Sequence, residues 1–228
     1  MLLCSSLQGD APGSYLIKAT TNSAPNNVLA SKGVVIATSA RDAYSLTNTD
    51  PSLLPPQRSV GCVYYGLAGE PPIKDAILVL NGEKEKGTEG KPINNLCFPS
   101  LVSPTYAPPG KHLCSVTVLG PTLDLFRLSS GEIDEARLDR AVKGHLSLWF
   151  PDAAVSSWEN LQTFDVSDAQ PAQFGCKYAA SISGGRPPEE VAGGKMPENV
   201  VVAGDHQASA TLNGAIEAGV KAAKYLLR

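Results

Sequence analysis

Asn199-Val-Val-Val-Ala203-Gly204-Asp205-His-Gln-Ala-Ser209-Ala-Thr211-Leu212-Asn-Gly214-Ala-Ile-Glu-Ala218-Gly219-Val-Lys-Ala-Ala-Lys-Tyr-Leu-Leu227 reads as a short strand, a tight turn and a helix. Val200, Val201, Val202 and Ala203 do not alternate with polar residues, as expected of a strand covered on both faces in an α/β sheet. From Leu212 the period lengthens. Leu212, Ile216, Val220, Ala223 and Leu227 form an apolar stripe, and Gly214, Ala218 and Ala222 form a row of small residues at fourfold spacing. Such a row lets a helix approach a sheet or a flat ligand closely. At the turn, Gly204 allows the backbone near a ligand and Asp205 offers a carboxylate to hydroxyl groups. Two readings of Asp205 stand side by side: a ligand contact in front of helix amides that favour negative charge, or a cap on the terminal helix.

The other end of the chain supplies further strands. Tyr15 to Ala19, Val28 to Ala30 and Gly33 to Thr38 predict two or three of them, separated by a turn-rich Thr20 to Asn27. Gly33-Val34-Val35-Ile36-Ala37-Thr38 is again almost continuously apolar and leaves into Ser39-Ala40-Arg41-Asp42. Ligands in open α/β sheets gather beyond the carboxyl ends of strands. That exit is therefore either a cofactor contact or an ordinary strand-to-helix loop.

Between these ends the pattern changes. Pro51, Pro55 and Pro56 mark a linker near 47–59, because proline fixes the chain and removes amide donors. Four strands are expected at Val60 to Gly66, Ala76 to Leu80, Ile93 to Phe98 and His112 to Leu119, with turn chemistry between them, including Asn81-Gly82. An antiparallel sheet follows. Glu132 to Phe150 predicts a helix with Leu138, Val142, Leu146 and Trp149 on one face and Ser129-x-x-Glu132 as a capping box. Trp149 and Trp158 are expected in the core beside it. The Pro- and Gly-rich stretch 165–199 reads as a long loop.

Composition removes several classes of function. Hydrophobic residues make up 43% of the 228 residues and charged residues 18%, ordinary globular values. A net charge of −3 with no basic run argues against nucleic acid as a partner. No apolar stretch reaches the roughly 18–20 residues of a membrane span, and the opening segment lacks the features of a signal peptide. A soluble protein in a reducing intracellular compartment, cytoplasm or an organelle such as a plastid, is the expectation. Cys4, Cys62, Cys97, Cys114 and Cys176 are odd in number and too scattered for a disulfide framework or a metal motif. Cys62, Cys97 and Cys114 lie in strand-like runs, where cysteine behaves as a small buried hydrophobe. His112 and His145 are expected to be structural. His206 is expected either to face a ligand at the turn or to lie solvated in the loop.

Val200-Val-Val-Ala-Gly-Asp205 followed by Leu212-Asn-Gly-Ala-Ile-Glu-Ala-Gly219-Val-Lys-Ala-Ala223 resembles the carboxyl-terminal flavin motif of the FAD-dependent amine oxidase, phytoene desaturase and protoporphyrinogen oxidase superfamily. Gly33 to Thr38 is similar to that superfamily's strand ending in Ala-Thr, with Ser39 where glycine is commonest. Pro104-x-Tyr106-Ala107-Pro108-x-Gly110-Lys111 resembles part of its substrate domain. The resemblance implies FAD as cofactor, with Asp205 at the ribityl or pyrophosphate part and Gly204, Thr211, Leu212 and Thr38 around it. No catalytic side chain can be named from these residues, and His112, His145 and His206 have no metal-ligand spacing to one another or to cysteine. Amine, carotenoid-like and tetrapyrrole substrates remain open, as does the oligomeric state.

The superfamily's Gly-x-Gly-x-x-Gly pyrophosphate cradle does not occur in these residues. The expectation is therefore a mixed α/β protein that begins inside the FAD domain: a partial FAD-binding α/β domain at 1–46 and 196–228, and an antiparallel-sheet substrate domain with a helix at 47–195. Its function would be to help transfer a hydride from substrate to flavin. A non-catalytic binding module or inactive shortened form is the alternative.

Overall fold

The computed structural model describes residues 3–11, 14–20, 25–30, 32–47, 54, 56–172 and 199–227, with side chains described from Ala30 onward. The chain divides into two compact units, residues 1–57 with 170–228, and residues 58–169.

In the first unit, Val34–Ile36 (β4) lies parallel to Val200–Val202 (β10), pairing Val34 with Val200, Val35 with Val201 and Ile36 with Val202. The amide of Ala203 extends the ladder by donating to the Ile36 carbonyl at 2.8 Å. The helix Ala40–Leu46 (α1) packs Ala43 and Leu46 with Ile36 and Val200. The terminal helix Leu212–Leu226 (numbered α5 below) packs Ala218 and Ala222 with Val201 and Ala203. Successive residues of β10 thus serve cores on opposite faces, and this accounts for the unbroken apolar run. Leu3–Ala11 (β1), Ser14–Thr20 (β2) and Pro25–Ala30 (β3) form a separate antiparallel sheet in that order. β1 was not expected from its mixed, Ser- and Gly-containing sequence.

The α5 helix corrects the weight given to its large apolar residues. Leu212, Ile216, Val220 and Leu227 are all exposed, whereas Gly214, Ala218 and Ala222 are buried. Close approach to β10 selects the small-residue row, because a helix bearing Ile or Leu there would sit farther from the strand.

The second unit is built on a five-stranded sheet in the order β6-β7-β8-β5-β9. Its strands are Gln57–Leu67 (β5), Leu78–Leu80 (β6), Asn95–Cys97 (β7), His112–Leu119 (β8) and Glu159–Pro171 (β9). Short helices Pro99–Val102 (α2) and Gly120–Leu123 (α3) flank β8, and Glu135–Trp149 (α4) covers one sheet face. On that face Val63, Tyr65, Leu96, Cys114, Val116 and Val118 form one core with Leu138, Val142 and Leu146. Trp158 completes it edge to face with Phe98, ring centroids 6.0 Å apart, as expected of a core aromatic.

The alternate residues point the other way. The antiparallel registers align Leu78, Cys97, Ser115 and Tyr64 in one cross-strand row, and Leu80, Asn95, Thr117 and Cys62 in the next. Cys114 is buried as expected, but Cys62 and Cys97 lie half-exposed on this second face. The period of two decides which face each cysteine takes.

Several boundaries differ from expectation. α4 is capped by Asp134, which accepts from the Arg137 amide at 3.0 Å, and not by Ser129. The chain before it forms a turn closed by an Arg127–Ile133 bridge, so helix geometry starts after Ile133. Residues 165–171 of the expected loop belong to β9, and the remainder from 173 to 198 lies outside the described residues. β9 alternates poorly because it is an edge strand with many exposed positions.

The loop after β6 is pinned to α4. Asn81 donates to the Ile93 carbonyl at 2.7 Å, and its side-chain oxygen accepts from the Glu83 amide at 2.8 Å. Glu83 then accepts from Trp149 Nε1 at 2.8 Å and pairs with Lys91 at 2.6 Å. Fully buried His145 accepts at Nδ1 from the Ile93 amide at 3.3 Å, which leaves Nε2 protonated to donate to Glu83 at 3.0 Å. His145 and Trp149 are structural, as expected. His112 is likewise engaged, its Nδ1 lying 3.3 Å from Ser100 Oγ. Lys91, Trp149 and His145, in that order, hold the Glu83 carboxyl far below the usual carboxylate range, at about 2.

Candidate functional site

Because β4 and β10 are parallel and in register, both chains leave the sheet at the same edge. Beyond β4 come Thr38 and Ser39. Ser39 caps α1 by accepting from the Asp42 amide at 3.2 Å, and donates to the Asp42 carboxylate at 2.9 Å. Thr38 is exposed, and its hydroxyl bonds weakly to the Ser39 carbonyl at 3.3 Å.

Beyond β10 comes Gly204 with φ 155°, then a 3₁₀ turn over Asp205–Gln207. A Cβ on Gly204 would lie 2.6 Å from His206 Cε1 and 3.7 Å from the Thr38 carbonyl oxygen. The structure therefore brings Thr38, Gly204 and His206 together. No side chain fits between the backbone and the imidazole, which is the local reason glycine stands at this position.

His206 was expected to face a ligand or to be solvated, and the structure excludes the solvated reading. Its side chain is 1% exposed, and neither ring nitrogen has a hydrogen-bond partner among the described residues. Burial lowers its pKa, with the nearby Asp205 carboxylate pulling the other way. An unsatisfied buried imidazole costs roughly 1–3 kcal/mol. Such groups accompany sites whose polar partner is a ligand or water.

Asp205 is not the helix cap. Thr211 caps α5, accepting from the Gly214 amide at 3.0 Å, and its hydroxyl also lies 2.8 Å from Ser209 Oγ. Gly214 is needed because a Cβ would collide with the Ser209 carbonyl. The Asp205 side chain is 35% exposed, and its partner among the described residues is His206 Nδ1 at 3.9 Å. Its carboxylate is thus largely free to accept. The 3₁₀ turn packs against α5, so the first residue of that helix, Leu212, extends the same region with a side chain 78% exposed.

At this turn a backbone without a Cβ, a largely free carboxylate and buried ring nitrogens lie beside two parallel strand ends of an α/β layer, where ligands gather in open α/β sheets. The fold is of the mixed α/β class, with a parallel strand pair in one unit and a five-stranded antiparallel sheet in the other. Residues 16–227 match the family model described as flavin containing amine oxidoreductase, and the chain belongs to that family. The family implies a flavin cofactor. Search of curated proteins finds no match.

Solved structures share the fold. An oxidoreductase from Methanosarcina mazei is similar at a TM-score of 0.59 and 13% identity, covering 100% of this chain and 49% of that one. Putrescine oxidase bound to putrescine is similar at 0.60 and 13%, with the same coverage, 100% and 49%. Reduced UDP-galactopyranose mutase is similar at 0.55 and 12%, covering 84% of this chain and 39% of that one. The chain spans about half the length, or less, of these solved chains. Among the described residues no helix is long and apolar enough to cross a membrane.

Proposed function

We propose that these residues supply the carboxyl-terminal part of an FAD-dependent oxidoreductase, with 1–46 and 196–228 on the flavin side and 47–195 on the substrate side. The observation that carries the reading is the Gly204-Asp205-His206 turn, where a Cβ-free backbone, a free carboxylate and an unsatisfied buried imidazole meet at two parallel strand ends.

FAD fits this donor set. Asp205 is an acceptor only, so it suits ribityl hydroxyls rather than phosphate oxygens. Gly204 admits close approach of the cofactor to the backbone. The Thr211 hydroxyl is spent within the helix cap and fixes the start of α5, leaving Leu212 as an apolar contact for a flat ring. Thr38 contributes from the facing strand end. When bound, FAD supplies the redox chemistry, accepting a hydride from substrate, while the protein binds and orients it.

The Gly-x-Gly-x-x-Gly pyrophosphate cradle is not among these 228 residues. The test is therefore FAD titration of the chain alone and of the chain joined to a dinucleotide-binding half. Weak binding alone and stoichiometric binding when joined is the expected result. A joined protein that stays colourless in excess FAD, with both units folded, would favour a non-catalytic module.

A further inference from the structure

We infer that the cleft between α4 and the 83–91 loop binds a flat molecule carrying a single carboxylate. The site lies wholly in the second unit, uses none of the flavin-turn residues and does not rest on the oxidoreductase reading above. Glu89, Gly90, Arg137, Arg140, Ala141 and Gly144 line an open cleft of about 630 Å³, a size that suits a small molecule. It lies on the flank of α4 not taken by Leu138, Val142 and Leu146, which face the core.

Charge decides the chemical class. The lining carries two guanidinium groups and one carboxylate, a net charge of +1. Arg137 and Glu89 are spent on each other: Nε meets one carboxylate oxygen at 2.7 Å and Nη2 the other at 2.6 Å. The Arg137 guanidinium is fixed further by the Phe126 ring, 5.5 Å from its centroid. Next along the helix, Lys143 pairs with Asp139 at 3.2 Å. Arg140 has no ion-pair partner among the described residues. Its neighbours three and four positions away, Ala136, Arg137, Lys143 and Gly144, include no carboxylate. The facing loop does not supply one either, since Glu83 is held by Lys91, and Lys84 and Lys86 outnumber Glu85. A cation has no acceptor here, because Arg137 holds both Glu89 oxygens. A second negative charge on the ligand would face Glu89, so a monoanion fits the lining.

Gly144 gives an independent observation. Glycine inside a helix is unfavourable relative to alanine, and a Cβ at Gly144 would meet nothing within 4 Å beyond its own helix backbone. Packing among the described residues therefore does not require glycine there. A side chain at 144 would lean back over the preceding turn and cover Ala141 and the stem of Arg140. Its absence leaves a bare floor beside the unpaired guanidinium, and Gly90 on the facing loop is open in the same way. Such a floor admits a flat body close to the backbone, while the guanidinium fork matches the two oxygens of a carboxylate.

Two probes of one shape test this in the full chain at neutral pH. 2-Naphthoate, followed by amide NMR shifts, should bind saturably and move the signals of Gly90, Ala141 and Gly144. 2-Naphthamide, flat but neutral, should bind about fivefold more weakly, the scale of a partly exposed ion pair. Arg140→Gln should bring the two probes to the same affinity, and Arg140→Lys should keep part of the difference. Gly144→Leu should weaken naphthoate binding about tenfold or more by covering the floor, while leaving the urea midpoint unchanged or higher, because leucine is the better helix former.

Equal binding of acid and amide overturns the inference, as does absence of saturable binding or a set of shifts centred outside the cleft. An undiminished preference for the acid in Arg140→Gln also overturns it, as does full naphthoate affinity in Gly144→Leu. A lowered urea midpoint in Gly144→Leu would show that the chain itself needs the glycine and would overturn it too.

Discussion

Replacing Asp205 by Ala separates cofactor binding from folding. In the apoprotein the carboxylate is 35% exposed and faces His206 at 3.9 Å. Burial disfavours the charged imidazole, so above the ordinary histidine range this is not an ion pair. With the carboxylate partly solvated and 3.9 Å away, such a pair would contribute about 1 kcal/mol or less even when charged. Asp205→Ala should therefore change apoprotein stability by less than about 0.5 kcal/mol, the scale of a surface substitution. Thr211→Ala should behave oppositely, because Thr211 accepts the Gly214 amide at 3.0 Å and loss of a cap costs about 1 kcal/mol. Toward FAD the order reverses. A hydrogen bond to a charged acceptor contributes about 1.5–3 kcal/mol, and about 1.4 kcal/mol is tenfold in affinity. Asp205→Ala should weaken FAD binding by about 10- to 150-fold in the joined protein, whereas Thr211→Ala should act mainly through stability. Hydrogen exchange at Val200–Val202 reports the first unit's stability, and flavin fluorescence reports affinity. A cap-sized stability loss in Asp205→Ala with unchanged FAD affinity would refute the reasoning.

Three other outcomes follow from the same geometry. The Glu83 carboxyl is held at about 2 by Lys91, Trp149 and His145, so its stabilising effect is present above the unfolded carboxylate range near pH 4.5 and lost as pH falls toward 2; acid titration of Glu83→Gln should show a flatter stability profile in that window. His206 has a lowered pKa through burial, so protonation opposes the native fold and exchange at Val200–Val202 should accelerate as pH falls below about 6.5; a His206→Gln variant should lose that dependence. Leu146 is fully buried between α4 and the sheet, and Leu146→Ala should cost about 2–5 kcal/mol, measured by urea unfolding of the second unit.

Local pattern made β4, β5, β8, β10, α4 and α5 legible, because each carries its own period over enough residues to distinguish helix from strand. The strand, turn and helix at 199–227 were readable together for the same reason, and the Gly-Asp turn stood out between two different periods. Two edge strands were not readable. β1 and β9 are held by pairing with neighbours, and in β9 the many exposed positions leave little periodicity. The cap of α4 was misjudged, Ser129 in place of Asp134, while Asp205 was open between cap and ligand contact until Thr211 proved to cap α5. The choice depends on where helical geometry begins, to within a residue or two.

The sequence by itself determined β4, β5, β8, β10, α4 and α5, that both β4 and β10 are unsuited to an open solvated face, and that a glycine precedes an acceptor at the turn. Tertiary structure alone decided which side of each segment matters. Ala218 and Ala222, not Ile216 and Val220, meet β10, because the contact rewards close approach more than side-chain size. Cys114 enters the core while Cys62 and Cys97 face outward, because cross-strand register assigns alternate residues to opposite faces. The His206 ring nitrogens are buried without a hydrogen-bond partner among the described residues, with Gly204 packed against the ring, a property of the three-dimensional turn that no linear spacing of residues encodes.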